Sequence, residues 1–256
     1  MHSLCSSLGQ TRSSQQTNHA LLTPDTFVRI ALPGMKACSA IVHASPALGA
    51  TFAQYTAEFE VGGELSGTAA QRFIFVMDGA VKLDAGDRQS ELRVRGFAYI
   101  PEGLAHRITA AQTSRVAVIE KTYEALTSVA PPRLIVSHED KAASHSLGDD
   151  PDLQVKCLLP DEMSFDFAVN TMVYQPGCAL SMVEMHVMEH GLMMLDGGGI
   201  YRLGDCWYPV MAGDFIWMAP WCPQWFGALG KAPAKYLIYK NWNRHPLAGP
   251  HLGKQR

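Results

Sequence analysis

The sequence predicts an all-β protein built from two similar β domains, and three observations carry that expectation. Short apolar runs follow one another closely, each ended by a glycine, a proline or an Asp-Gly pair. No long amphipathic helix interrupts the first half. The turn markers of the first half also return in the second. Residues 73–79 (FIFVMDG) match 193–197 (MMLDG), and 95–101 (RGFAYIP) match 213–220 (GDFIWMAP). The spacing is 118 from Gly79 to Gly197, 117 from Gly96 to Gly213 and 119 from Pro101 to Pro220. A near-constant offset of that length is the mark of a duplicated domain.

Composition bounds the rest. A chain of 256 residues with 47% hydrophobic and 18% charged residues has ample material for packed cores. A net charge of −3 without any Lys/Arg cluster argues against a nucleic-acid partner. No apolar run is long enough for a membrane-spanning helix. The six cysteines form no C-x-x-C pair and read as reduced, mostly buried thiols. The N-terminus lacks a cationic start followed by an apolar core, so a cytoplasmic protein is expected.

In chain order, residues 1–18 are polar and read as a flexible terminus. Order is expected from His19, in the run HALLTP, followed by strands over 27–32 and 37–43 with turns at Pro33-Gly34 and Ser45-Pro46. From Ala50 strand follows strand, through Phe52 to Val61, 73–77 into Asp78-Gly79, Val81 to Leu83, Leu92 to Val94, 97–100, His106 onward and 116–119. Residues 19–125 are therefore taken as the first domain. Residues 126–160, with Pro131-Pro132 and the polar run 137–152, read as a linker in which a strand or short helical turn fits, and 161–256 as the second domain.

The chemistry concentrates at 184–191 (EMHVMEHG). Glu184, His186 and His190 share one parity, so an extended chain aims all three to one face. Imidazole and carboxylate together suit Zn, Fe, Ni or Mn. His186-x-x-Glu189-His190 also matches the H-x-x-E-H pattern of inverted zinc peptidases, which needs a helix. The glycines at 191 and 197–199 oppose one.

The second half resembles the cupin pattern of two short motifs joined by a hairpin: two histidines and a carboxylate, with Gly197 seven residues after His190, then Gly213…Pro220 opening the second motif. The usual last histidine is absent and Gln224 stands in its neighbourhood, in PWCPQWF at 220–226. The shifted set E-x-H-x-x-x-H with a later Gln is similar to the (S)-ureidoglycine aminohydrolase family of purine (allantoin) breakdown. The runs HALLTPD at 19–25, SPALGA at 45–50 and YKNWNR at 239–244 carry the same resemblance, which spans about residues 19–244.

The resemblance implies a bicupin of two tandem jelly-roll β-barrels that assembles as a homo-oligomer. It implies a hydrolase acting on C–N bonds, converting (S)-2-ureidoglycine to (S)-ureidoglycolate and ammonia. Manganese would be held by Glu184, His186, His190 and Gln224, with Fe(II) as the alternative for such a mixed O/N donor set. Substrate contacts are implied at Glu184, Gln224, Tyr236 and Lys240, with Tyr201 a further lining residue and Glu184 and Lys240 in catalytic roles. Met182, Met188, Met193, Met194, Trp217 and Trp225 would form a dry wall. By the repeat register the first domain has Ser66, Thr68 and Arg72 where the second has Glu184, His186 and His190, and keeps only His106, so that barrel is expected to hold no metal and to serve packing and assembly. An Fe(II) dioxygenase, an isomerase, or a small-molecule-binding bicupin without activity shares the fold and remains open on these grounds.

Overall fold

The computed structural model describes residues 10–245, and these are β throughout except for three 3-10 turns of three residues each. They fall into two compact units. One comprises residues 28–145, 156–170 and the chain from 239; the other comprises the chain up to 27, 146–155 and 171–238.

The first barrel contains β3 (Arg29–Ile30), β4 (Met35–Ala44), β5 (Ala53–Ser66), β6 (Gln71–Asp78), β7 (Ala80–Ala85), β8 (Arg88–Arg93), β9 (Gly96–Ile100), β10 (His106–Thr109), β11 (Ser114–Lys121) and β12 (Ile135–His138). Its sheet runs β12-β9-β6-β11-β5-β10-β7-β8, with β4 added to β5 and β3 to β4. Alternate residues of these strands turn inward, as the period of two requires. Tyr55, Phe59, Ile74, Val76, Ala98, Val116 and Val118 close one core.

The other barrel draws on β1 (Ser14–Gln15) and β2 (His19–Leu22), then β13 (Ser144–Leu147), β14 (Asp150–Cys157), β15 (Phe167–Tyr174), β16 (His190–Asp196), β17 (Gly198–Leu203), β18 (Cys206–Met211), β19 (Phe215–Met218), β20 (Gln224–Ala228) and β21 (Ala234–Asn241). One sheet runs β1-β2-β19-β16-β21-β15-β14-β13, and β18-β17-β20 forms a second. Tyr174, Leu192, Met194, Tyr201, Phe226 and Tyr236 lie in its core.

The duplication is exact in register over the central strands. Arg72 pairs with Ile100 across β6 and β9, and His190 pairs with Met218 across β16 and β19, each residue 118 positions from its counterpart. The hairpins β7–β8 and β17–β18 carry the same offset.

The domain boundaries differ from the expected ones in three places. Residues 10–18 are held rather than free, since Ser14 pairs with Leu21 in a short hairpin; the rest of the expected flexible terminus lies outside the described residues. His19–Leu22 joins β19, four residues in register, and so belongs with the second barrel instead of the first. The edge of β19 needs a partner for its backbone groups, and β2 supplies it. The expected linker holds β12, which pairs with β9, and all of β13 and β14, while residues 156–170 cluster with the first barrel. Among the described residues no helix is long and apolar enough to cross a membrane.

Candidate active site

The motif residues meet, although not on one strand. Glu184 sits in an isolated bridge, in which its N–H donates to the Gln224 carbonyl at 2.8 Å and its carbonyl accepts from the Gln224 N–H at 2.9 Å. Residues 185–189 form no regular element, and β16 begins at His190. The chain leaves its pairing with β20 to reach β16, so the loop, and not the parity of an extended strand, sets the histidines. The absence of a helix here removes the peptidase reading. The loop is tied down from outside by Trp221, whose N–H donates to the His186 carbonyl at 2.8 Å. Trp221 takes a φ of 65° to do so, a conformation bulky side chains rarely adopt.

The imidazoles of His186 and His190 stand edge to face with ring centroids 4.9 Å apart. Their Nε2 atoms are 3.4 Å from each other, and the Gln224 amide nitrogen is 2.8 Å from His186 Nε2. A half-turn of that amide exchanges its nitrogen for its oxygen. Donor atoms bound at roughly 2.1 Å to one metal stand about 3 Å apart when they subtend a right angle. Two imidazole nitrogens and an amide oxygen at these separations fit a divalent ion. Glu184 is linked to this group through the backbone pair with Gln224. Among the described residues no three His, Cys, Asp or Glu side chains form a ready cluster, so the converging set is His186, His190 and Gln224.

Tyrosines line the cluster. Tyr201, opposite Phe226 across β17 and β20, donates to Gln224 Oε1 at 3.4 Å. This pairing depends on Gly199, where a Cβ would lie 2.0 Å from the Gly227 carbonyl oxygen. Tyr236, on β21, is joined at 2.8 Å to the hydroxyl of Tyr174 on β15. Tyr174, Tyr201 and Tyr236 all pack around the Phe226 ring, with centroids 4.9, 5.4 and 5.8 Å away. Burial pushes the Tyr201 and Tyr236 phenols well above their ordinary range, so both keep their protons at neutral pH. Burial raises the Cys222 thiol as well, which keeps it protonated and unsuited as a ligand.

Met194 lies in the barrel core with Trp225 packed against it, whereas Met182 is exposed and forms no part of a dry wall. Lys240, half-buried near the end of β21, has its ammonium 4.4 Å from the ring centroid of Trp242 and falls in the unit of the first barrel. Two residues outside the expected ligand set support the cluster. Tyr174 reads as an ordinary core residue of a strand. Glu189, almost fully buried, accepts from Trp217 Nε1 at 2.8 Å and anchors the residue next to His190.

The equivalent place in the first barrel is filled differently. Arg72 donates to His106 Nε2 at 2.8 Å, to the Ser66 carbonyl at 2.9 Å and to Glu120 at 2.8 Å. His106 Nδ1 lies 2.7 Å from the Leu104 carbonyl. An Nε2 that accepts from a guanidinium fixes the neutral tautomer with its proton on Nδ1. Burial, the larger effect, and the Arg72 charge hold His106 below the usual histidine range. The lone pair that would meet a metal is therefore spent on an arginine.

The family model of the cupin domain matches residues 170–239, the stretch that carries every feature of the cluster. The (S)-ureidoglycine aminohydrolase of Arabidopsis thaliana is 38% identical over 245 residues, covering 93% of this chain and 80% of that protein. The chain belongs to the (S)-ureidoglycine aminohydrolase family. An (S)-ureidoglycine aminohydrolase of Escherichia coli is 30% identical, with 89% of each chain covered. A solved structure, a glyoxylate-induced protein from Pseudomonas aeruginosa described as putative, superposes with a TM-score of 0.85 at 28% identity over 93% of both chains. In this aminohydrolase family member the two similar β domains expected from the duplicated turn markers, and the bicupin that the resemblance implied, are the observed fold.

Proposed function

We propose that this chain hydrolyses (S)-2-ureidoglycine to (S)-ureidoglycolate and ammonia, a C–N hydrolysis of purine catabolism, with Mn(II) held by Glu184, His186, His190 and Gln224. The observation that carries the reading is that His186 Nε2 lies 3.4 Å from His190 Nε2 and 2.8 Å from the Gln224 amide in a chain of this family. Oxygen and nitrogen donors without a thiolate favour Mn(II), with Fe(II) second. A metal bound there supplies a Lewis acid and a template for the substrate's amine and carboxylate.

The residues of the chain do the rest. Tyr201 and Tyr236, protonated and buried, are donors for substrate oxygens. Lys240 pairs with the substrate carboxylate or supplies the proton that the departing amine needs. The repeat supports its inward placement, for β11 and β21 begin 120 residues apart, which sets Lys240 against Glu120. In the first barrel Glu120 lies opposite Arg72, the counterpart of His190. Phe226 and Met194 keep water from the reacting carbon. The five described cysteines are free thiols, which supports a cytoplasmic setting. Exposed Val28, Ile30 and Val61 on the first barrel support a homo-oligomer.

The test is ammonia release from freshly generated ureidoglycine by protein stripped of metal and reloaded with Mn(II). Enantioselective ureidoglycolate formation that returns only with metal is expected. A rate no greater than the spontaneous one, in protein shown to carry metal, rejects the reading. Oxygen uptake separates a dioxygenase.

A further inference from the structure

The hydroxyls of Tyr174 and Tyr236 are buried and 2.8 Å apart, and among the described residues each finds no hydrogen-bond partner but the other. Two phenols carry two protons, and one hydrogen bond between them uses one. Whichever ring donates, one buried O–H remains without an acceptor among the described residues, and a buried donor left so is costly. Tyr236 lies on the same Phe226 platform as Tyr201, whose hydroxyl reaches Gln224.

We infer that Tyr174 is a positioning residue: it donates to Tyr236 and so turns the Tyr236 proton toward an acceptor oxygen of the bound substrate. The role goes beyond the substrate contact at Tyr236 itself, and it rests on the functional reading above. The oxygen it meets is a carbonyl or carboxylate oxygen, which accepts without donating; an amine or a hydroxyl would bring a competing proton. The pair thus favours the ureido or carboxylate end of the molecule over its amine.

The test uses Tyr174→Phe, Tyr236→Phe and the double variant in the full chain. Phenylalanine keeps the ring packing against Phe226, and thermal midpoints within a few degrees of wild type establish that the variants fold. Ureidoglycine turnover gives kcat and KM, and calorimetry with hydantoate, which keeps the ureido and carboxylate groups but lacks the amine, gives a binding constant without chemistry. Tyr174→Phe is expected to raise KM and the hydantoate Kd about three- to tenfold, with kcat little changed. The double variant is expected to be no worse than Tyr236→Phe. Equal losses from Tyr174→Phe in the presence and absence of the Tyr236 hydroxyl, or no loss at all, overturn the inference while leaving the functional reading in place. A wild-type protein that neither turns over ureidoglycine nor binds hydantoate overturns both.

Discussion

At the scale of single residues, a histidine and a glutamine 118 positions apart in the repeat frame show how environment decides role. His106 stands where Gln224 stands, yet its Nε2 accepts from Arg72, while His186 and His190 face each other and an amide. Replacing His190 with alanine is expected to remove bound Mn(II) and lower kcat/KM by at least about 100-fold. His106→Ala is expected to leave metal content and activity intact and to reduce stability only; metal analysis and turnover on both variants check this. A third histidine titrates with the fold. Burial, with a smaller contribution from Arg115, pushes His43 down to about 3, and its ring is bonded to Thr56. The folded state thus resists a proton that the unfolded chain accepts near pH 6.5. The contribution of His43 is whole above that pH and is lost as pH falls toward 3, at up to about 1.4 kcal/mol per pH unit. Unfolding curves of His43→Gln from pH 7 to 4 are expected to be shallower in pH by up to that slope. The converging residues His186, His190 and Gln224 were legible in the sequence because few reasons other than metal binding or catalysis gather two imidazoles, a carboxylate and an amide. Tyr174 was not, because a tyrosine on an inward strand position is core in nearly every protein.

At the scale of elements, the strap formed by β1 and β2 is the largest departure from the sequence reading. It is clipped to the second barrel by Arg12, whose guanidinium donates to both oxygens of the buried Asp214 at 2.6 and 2.9 Å. His19 and Ser14 reach Tyr208 from the same strap, at 2.9 and 3.2 Å. Arg12→Ala leaves a buried carboxylate with the Met211 N–H as its remaining described partner. The expected cost is about 2 kcal/mol, below the range for fully buried pairs because Arg12 is partly exposed. Asp214→Asn in the same chain is expected to recover part of it, and chemical denaturation of the two variants measures both. Composition made residues 10–18 look free, since the side-chain contacts that anchor their hairpin, Arg12 to Asp214 and Ser14 to Tyr208, join residues 202 and 194 positions apart and leave no local pattern. The hairpins β7–β8 and β17–β18 were legible for the opposite reason, their turn signals being local.

At the scale of the whole molecule, duplication followed by divergence leaves one barrel with converging imidazoles and the other with an internal cation. The first barrel carries Arg72, fully buried and bonded to Glu120 and His106, where the second carries His190. Metal analysis of protein reloaded with Mn(II) is therefore expected to give one ion per chain and, in the His190→Ala variant, none. Two ions per chain would show that the arginine yields its place. The repeat was legible because glycine and proline mark turns whatever the strands between them contain. The split of the chain between the two units was not, because it depends on which open edge a strand finds.

That choice of edge has a consequence for how the protein is made. β2 ends at Leu22 and its partner β19 closes at Met218. On the ribosome β2 must wait for β19, the edge that β19 will cover left open and flanked by Ala20, Leu21 and Leu22, until roughly 190 further residues have followed. The first barrel can close while synthesis continues, whereas the barrel that carries the chemistry cannot be completed until its last strands are out. β2 is thus made well before it can be laid in place.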